Sequence, residues 1–177
     1  MASISAQAIT IDFNSLSGNQ GSSFTLSGIT FSTTGSGGLD ATLSPNSTIA
    51  LLEQSTPRQF IRADIAGGAT SVSIDLGDFD ADADTIFLQI FDSGNNSLGF
   101  TSQLLADSFI GMQTLTLSSS NIAYAVFGST APSVNGSSVL ADNFTAAIGA
   151  VPDAGSTLSL MAAGLGALGF VVRRRKI

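Results

Sequence analysis

The stretch Ser71-Val72-Ser73-Ile74-Asp75-Leu76-Gly77-Asp78 carries apolar side chains at Val72, Ile74 and Leu76 and small polar or acidic ones at Ser71, Ser73 and Asp75. Successive side chains of an extended backbone point to opposite faces, so a period of two marks a strand with one face buried and the other wet. The same alternation runs through Ile9, Ile11 and Phe13. It returns at Ile29-Thr30-Phe31, Phe60 to Ile65, Ile86 to Phe91, Thr114 to Leu117, Ile122 to Val126 and Val139 to Ile148. Between these runs lie Gly35-Ser36-Gly37-Gly38, Gly67-Gly68, Ser93-Gly94-Asn95-Asn96 and Pro132 to Gly136, which supply positive φ angles or side-chain hydrogen bonds to a turn. Many short strands at this spacing predict an all-β fold: an antiparallel β-sandwich, jelly-roll-like. Within this region only Ser102 to Phe109 reads as a helical turn, and no internal repeat is present.

Charge narrows the function classes. Residues 1–150 hold twelve acidic side chains against Arg58 and Arg62 alone, a net charge of −10. Such a surface repels nucleic acid and anionic lipid and attracts divalent cations or basic partners. The chain has no Cys, which removes disulfides and thiol chemistry in any compartment. It also has no His, so the usual bases of nucleophilic triads and most zinc sites are missing, and no phosphate-loop or dinucleotide fingerprint occurs. A two-carboxylate hydrolase is the one catalytic class left open, although Glu53 is the sole Glu. The expectation is a non-enzyme with one domain over residues 9–150, long enough to bury roughly two-thirds of its unfolded surface around one core.

Two acidic groupings are candidate calcium sites. In Gly77-Asp78-Phe79-Asp80-Ala81-Asp82-Ala83-Asp84 an extended backbone points the carboxylates of Asp78, Asp80, Asp82 and Asp84 to one side. Their repulsion is relieved by water, salt or a hard cation with six to eight oxygen ligands. The EF-hand template fails, because Ala83 stands at the sixth position and Gln89 at the twelfth; a solvated acidic loop is the competing reading. The second grouping is Asp12 with Asp142 and Asn143, which meet if the first and last strands pair, as they often do in sandwiches. Separate exposed side chains are the alternative there.

Sugar platforms usually stack pyranose rings on exposed Trp or Tyr, and this chain has no Trp and one Tyr, Tyr124. Phe79 in the acidic loop and Phe100 near a turn are the other candidates, while most Phe residues lie in strand patterns that belong to a core. Sequons occur at Asn46, Asn95, Asn135 and Asn143 and matter only in a eukaryotic secretory protein.

The C-terminal stretch has a different texture. Val151-Pro152-Asp153-Ala154-Gly155-Ser156-Thr157 is followed by an uncharged apolar run, Leu158 to Val172, and by Arg173-Arg174-Arg175-Lys176. With Ser156 and Thr157 the run would span roughly 25 Å as a helix, slightly short of a bilayer core of about 30 Å. Snorkelling by the four cations closes the gap and places that end in the cytoplasm. The reading is a transmembrane helix over 158–172. At the other end, Ala6-Gln7-Ala8 matches an A-x-A cleavage pattern, so residues 1–8 read as the remnant of a signal peptide.

These terminal features resemble the C-terminal sorting signals of the PEP-CTERM class, most closely its VPDSG-CTERM branch, with Ala154 in place of that branch's usual Ser. The resemblance implies a bacterial protein exported across the inner membrane and held transiently there by its tail. It implies cutting by an exosortase at a motif comprising Val151, Pro152, Asp153 and Gly155, with Arg173, Arg174, Arg175 and Lys176 as the membrane stop signal. It further implies delivery to the cell surface or an exopolysaccharide matrix, with extracellular polysaccharide as a partner. The body, through Ser71 to Asp78, Phe87 to Gly99 and Leu140-Ala141-Asp142-Asn143-Phe144, resembles more weakly the sandwich domains that precede such tails. The expected function is a non-catalytic surface or matrix protein carrying this signal. The alternatives are a glycan-binding module at the cell surface or a permanently anchored surface domain.

Overall fold

The computed structural model describes residues 7–35, 37–44, 49–53, 60–78, 83–107, 109–130 and 139–148. Residues Ala6–Gly149 form one compact unit. Among the described residues the chain runs through β1 Gln7–Ile11, β2 Gly18–Gly21, β3 Ser23–Leu26, β4 Ile29–Thr33, β5 Leu39–Leu43, β6 Ile49–Glu53, β7 Ile61–Asp78, β8 Asp84–Phe91, β9 Ser97–Leu105, β10 Gly111–Ser129 and β11 Leu140–Ile148. Every pairing is antiparallel, and the hydrogen-bonded path runs β2-β5-β6-β11-β7-β10-β8-β9, with β1 beside β11 and β3-β4 beside β7.

Two long strands turn this path into a sandwich. The first half of β7 pairs with β4 and the second half with β11, and the change falls at Gly67 and Gly68, whose φ values are +82° and +75°. The left-handed region is open to glycine at little cost, so the pair bends the strand where a side chain would resist. In β10 the ladder to β7 slips between Ser118 and Ile122, beside Asn121 at φ +61°. Each strand thus contributes one half to each layer. Gly67-Gly68, read from sequence as a turn between strands, is a bend inside one.

The alternating apolar residues of both layers point inward. Phe31 of β4 meets Phe144 of β11 edge to face at 5.3 Å, Phe13 meets Phe31 at 5.1 Å, and Phe127 of β10 lies 5.8 Å from Phe144. Around them Val72, Ile74, Leu76, Ile86, Leu88 and Ile90 are fully buried. This is the inner face that the period of two in Ser71 to Asp78 announces.

The all-β sandwich expected from the sequence is present, but the fold class needs correcting on its helix. The described residues contain strands and turns and no helix of any kind, and no helix among them is long and apolar enough to cross a membrane. The apolar run 158–172 lies outside the described residues. The helical turn read at Ser102 to Phe109 is instead the second half of β9, paired residue by residue with β8 from Ser102↔Phe87 to Leu105↔Asp84, followed by a turn closed by Phe109 N–H on Ala106 O at 2.7 Å. Leu104 and Leu105 are apolar neighbours that mimic a helical face, and the available edge of β8 decides against it.

Candidate functional site

The outer face of the layer built from β4, β7, β10, β8 and β9 holds the residues of greatest chemical interest. Register places Ser32, Arg62, Val126, Gln89 and Phe100 in one row across these five strands, and Thr30, Asp64, Tyr124, Phe91 and Ser97 in the next. The intervening positions, among them Ala63, Ala125, Phe127, Leu88 and Ile90, are fully buried on the opposite side. Alternation along each strand therefore sorts one set into the core and the other onto an aromatic and polar surface.

Two stacks organise that surface. In the first, Arg62 Nε lies 3.0 Å from both carboxylate oxygens of Asp64, and Nη2 lies 2.6 Å from Oδ1. The guanidinium covers the Tyr124 ring at 3.7 Å from its centroid, and Phe91 stacks on Tyr124 at 4.7 Å and 9°. Tyr124 donates its hydroxyl to Asn95 Oδ1 at 3.0 Å. The hydrogen bonds that Arg62 donates to Asp64 hold its pKa above the ordinary value, with partial burial opposing and the charge of Asp64 and the Tyr124 side chain adding to the rise. The one Tyr of the chain is buried within this stack, with a neighbour against each face, and offers no open ring.

In the second stack Phe60 meets Phe87 edge to face at 4.8 Å, and Phe87 lies parallel to Phe100 at 5.9 Å and 19°. Phe60 sits where a side chain at Gly128 would begin, 3.4 Å from that position. Phe100, on β9 at the end of the strand order, has Phe87 on one side and is 55% exposed. Beside it Gln89 donates to Ser97 Oγ at 3.0 Å. A planar apolar ring with amide, hydroxyl and guanidinium groups in adjacent rows is the arrangement that recognises a ligand with one apolar and one hydrogen-bonding side.

The β8–β9 turn beside this face is tied by Asp92, whose Oδ1 accepts from Gly94 N at 2.8 Å and Asn96 N at 2.9 Å, while Oδ2 accepts from the Asn96 side chain at 2.9 Å. These bonds, the Asn96 side chain first, lower the Asp92 pKa, with burial opposing.

The sequence-derived metal residues are dispersed. Asp80, Asp82 and Phe79 lie outside the described residues, and Asp78 closes β7. Asp84 opens β8 as a buried residue and accepts from Ser129 Oγ at 2.8 Å, so it faces the core instead of an acidic loop. The first and last strands do pair, Ile11 with Phe144. Asp12 follows that pair, is exposed and caps Asn14 N at 3.2 Å. Asp142 is buried and accepts from Asn143 N at 2.7 Å, and Asn143, in a bulge at φ +49°, donates to Asp75 Oδ2 at 2.8 Å. Among the described residues no three or more acidic side chains gather closely enough to hold a metal ion. Val151, Pro152, Asp153, Gly155 and Arg173 to Lys176 lie outside the described residues.

No protein-family model matches the chain, and no curated protein matches it. Solved structures do. The CBM22-1 xylan-binding domain of Paenibacillus barcinonensis Xyn10C superposes with a TM-score of 0.53 at 13% identity, over 85% of this chain and 100% of that one. The CBM22-1-CBM22-2 tandem domain of the same protein gives 0.52 at 14% identity, over 85% of this chain and 49% of that one. At such identities the likeness establishes the fold alone, an antiparallel β-sandwich.

These findings correct the reading drawn from the termini. Assignment to the PEP-CTERM class rested on residues 151–177, whereas the fold likeness covers 85% of the chain, is to a domain described as xylan-binding, and lends that assignment no support. The sorted surface-anchor function falls with it, as do the exosortase and inner-membrane partnership and the tail-held route of export. A short motif beside an apolar run carries little information about the domain it follows, and the described residues hold no membrane-crossing helix. The non-enzymatic expectation is in keeping with the fold neighbour, which is described as a xylan-binding domain.

Proposed function

We propose that this chain is a non-catalytic carbohydrate-binding module that receives a polysaccharide on the outer face of β4, β7, β10, β8 and β9. The observation that carries the reading is Phe100, 55% exposed, backed by Phe87 and next to Gln89 in the same row as Arg62. The open side of its ring stacks on the C–H face of a sugar, while Ser102, two residues along the same face of β9, meets ring hydroxyls. Phe87 and Phe60 hold the platform so that little freedom is lost on binding. Arg62 is already neutralised by Asp64 and the body is strongly acidic, which favours an uncharged glycan over a polyuronate. The fold neighbour's ligand makes xylan the first glycan to test.

Affinity electrophoresis through gels containing xylan, β-glucan or polygalacturonate tests this reading. Retardation by a neutral glycan that disappears in Phe100→Ala supports it; no retardation by any of them rejects it. A calcium ion at Asp12, Asp142 and Asn143 is a second, structural part of the proposal, supported by the β1–β11 pairing, whose register ends at Ile11↔Phe144 with Asp12 and Asn143 next in sequence on the two strands. Identical melting in calcium and in chelator would remove it.

A further inference from the structure

We infer that β9 is a self-association edge, which pairs antiparallel with β9 of a second copy about a two-fold axis at Ser102. Among the described residues β9 hydrogen-bonds only to β8 and ends the strand order. Exposed edges are ordinarily guarded by charge, proline or bulges. Ser97–Leu105 contains no charged residue and no proline, and its ladder to β8 is regular from Gly99 to Leu105. Among the described residues, three of the four large exposed hydrophobic side chains fall in or just beyond it: Phe100 at 55%, Leu104 at 67% and Ile110 at 74%.

The spacing suits a second copy of this same chain. Phe100, Ser102 and Leu104 share the outer face, with Ser102 midway. Antiparallel pairing about Ser102 sets Phe100 opposite Leu104 of the second copy and Leu104 opposite its Phe100, which is the reciprocity a two-fold interface requires. It also sets Asp107 against Ser97 and keeps the flanking Asp92 and Asp107 of the two copies from facing each other. For bodies carrying twelve acids against two cations, an uncharged strip is the approach of least repulsion.

The dimer has a consequence for the site, which rests on the function proposed above. The side of Phe100 away from Phe87 is the side that Leu104 of the second copy would cover. Self-association and glycan binding therefore exclude one another.

The chain has no Cys, so a single introduced thiol reports the interface without background. Directly opposed residues of an antiparallel pair have Cα atoms about 4.5–5.5 Å apart, within disulfide range. Full-length Ser102→Cys is expected to form a disulfide-linked dimer on mild oxidation, whereas Thr116→Cys, on an exposed strand position of the other layer, stays monomeric. Adding Leu104→Lys to Ser102→Cys should abolish the cross-link while leaving the β-sheet circular dichroism unchanged. Cross-linking at Ser102→Cys no faster than at Thr116→Cys, or unaffected by Leu104→Lys, overturns the inference. Retardation of the unsubstituted protein by xylan judges the glycan reading separately, since it requires no dimer.

Discussion

The Arg62 guanidinium lies over the Tyr124 ring, its carbon 3.7 Å from the ring centroid, while Asp64 accepts from Nε and Nη2 of the same guanidinium. Because β7 and β8 flank β10 on opposite sides, Phe91 takes the remaining face of the ring. Tyr124 therefore braces the layer, and the ring left exposed on this face is that of Phe100.

Removing only the Tyr124 hydroxyl tests that division of labour. Tyr124→Phe loses the bond to Asn95 and should destabilise the fold by about 1 kcal/mol, with glycan retardation kept. Tyr124→Ala should cost about 3 kcal/mol, because a buried stacked ring is lost. Urea denaturation reads both. Retained stability with lost glycan binding in Tyr124→Phe would make Tyr124 a ligand contact instead.

Phe100→Ala should behave oppositely. Its ring is more than half exposed, so stability should change by less than about 1 kcal/mol, whereas glycan affinity should fall roughly tenfold or more. Isothermal titration with soluble xylan fragments and a thermal melt separate the two effects.

The β8–β9 turn should respond to acid. Asp92 has a lowered folded-state pKa, so its contribution is present above the unfolded carboxylate range and is lost as pH falls through that lowered value. Amide exchange at Gly94 and Asn96 should therefore be steady near neutrality and increase, relative to the core strands, only below the usual carboxylate range. Asp92→Asn should show the fast exchange at neutral pH; equal exchange in the two proteins would remove Asp92 from this role.

Gly77 tests the joint between β7 and β10. A Cβ at this position would fall 2.5 Å from Gly111 O and against Met112 Sδ. Gly77→Ala should therefore destabilise by about 1–3 kcal/mol, because a backbone carbonyl has little room to withdraw. Gly28→Ala meets no neighbouring atom, and its φ of +80° makes it the comparison for backbone strain alone. Equal losses in the two would show that crowding at Gly77 is not the cause.

Much of the sandwich was legible in advance, because a period of two is a local property. Ile86 to Phe91 and Val139 to Ile148 are strands close to their expected limits, and Ser71 to Leu76 lies inside β7. The strands missed are of another kind. β2, Gly18–Gly21, is polar and glycine-rich, and it is extended because the edge of β5 binds it. β9 looked helical in part and is extended because β8 offers a partner. The candidate site was only partly readable: Phe100 was visible as an exposed aromatic, but Arg62, Gln89 and Phe87 draw their meaning from register. Arg62 and Asp64, two apart in a strand, were a usable hint, since that spacing puts opposite charges on one face.

The sequence by itself determined the extended character of the chain, its acidic surface, and the lack of thiols and imidazoles that limits its chemistry. It did so because alternation, charge and composition act at the residue or its immediate neighbours. Only the tertiary structure decided that Tyr124 is covered on both faces, that Phe100 stands open at an edge, that Asp84 turns inward, and that Gly67-Gly68 carries one strand from layer to layer. Those outcomes depend on which strands pair and in which register. Register is fixed by burying both inner faces at once, a condition that no single segment of the chain contains.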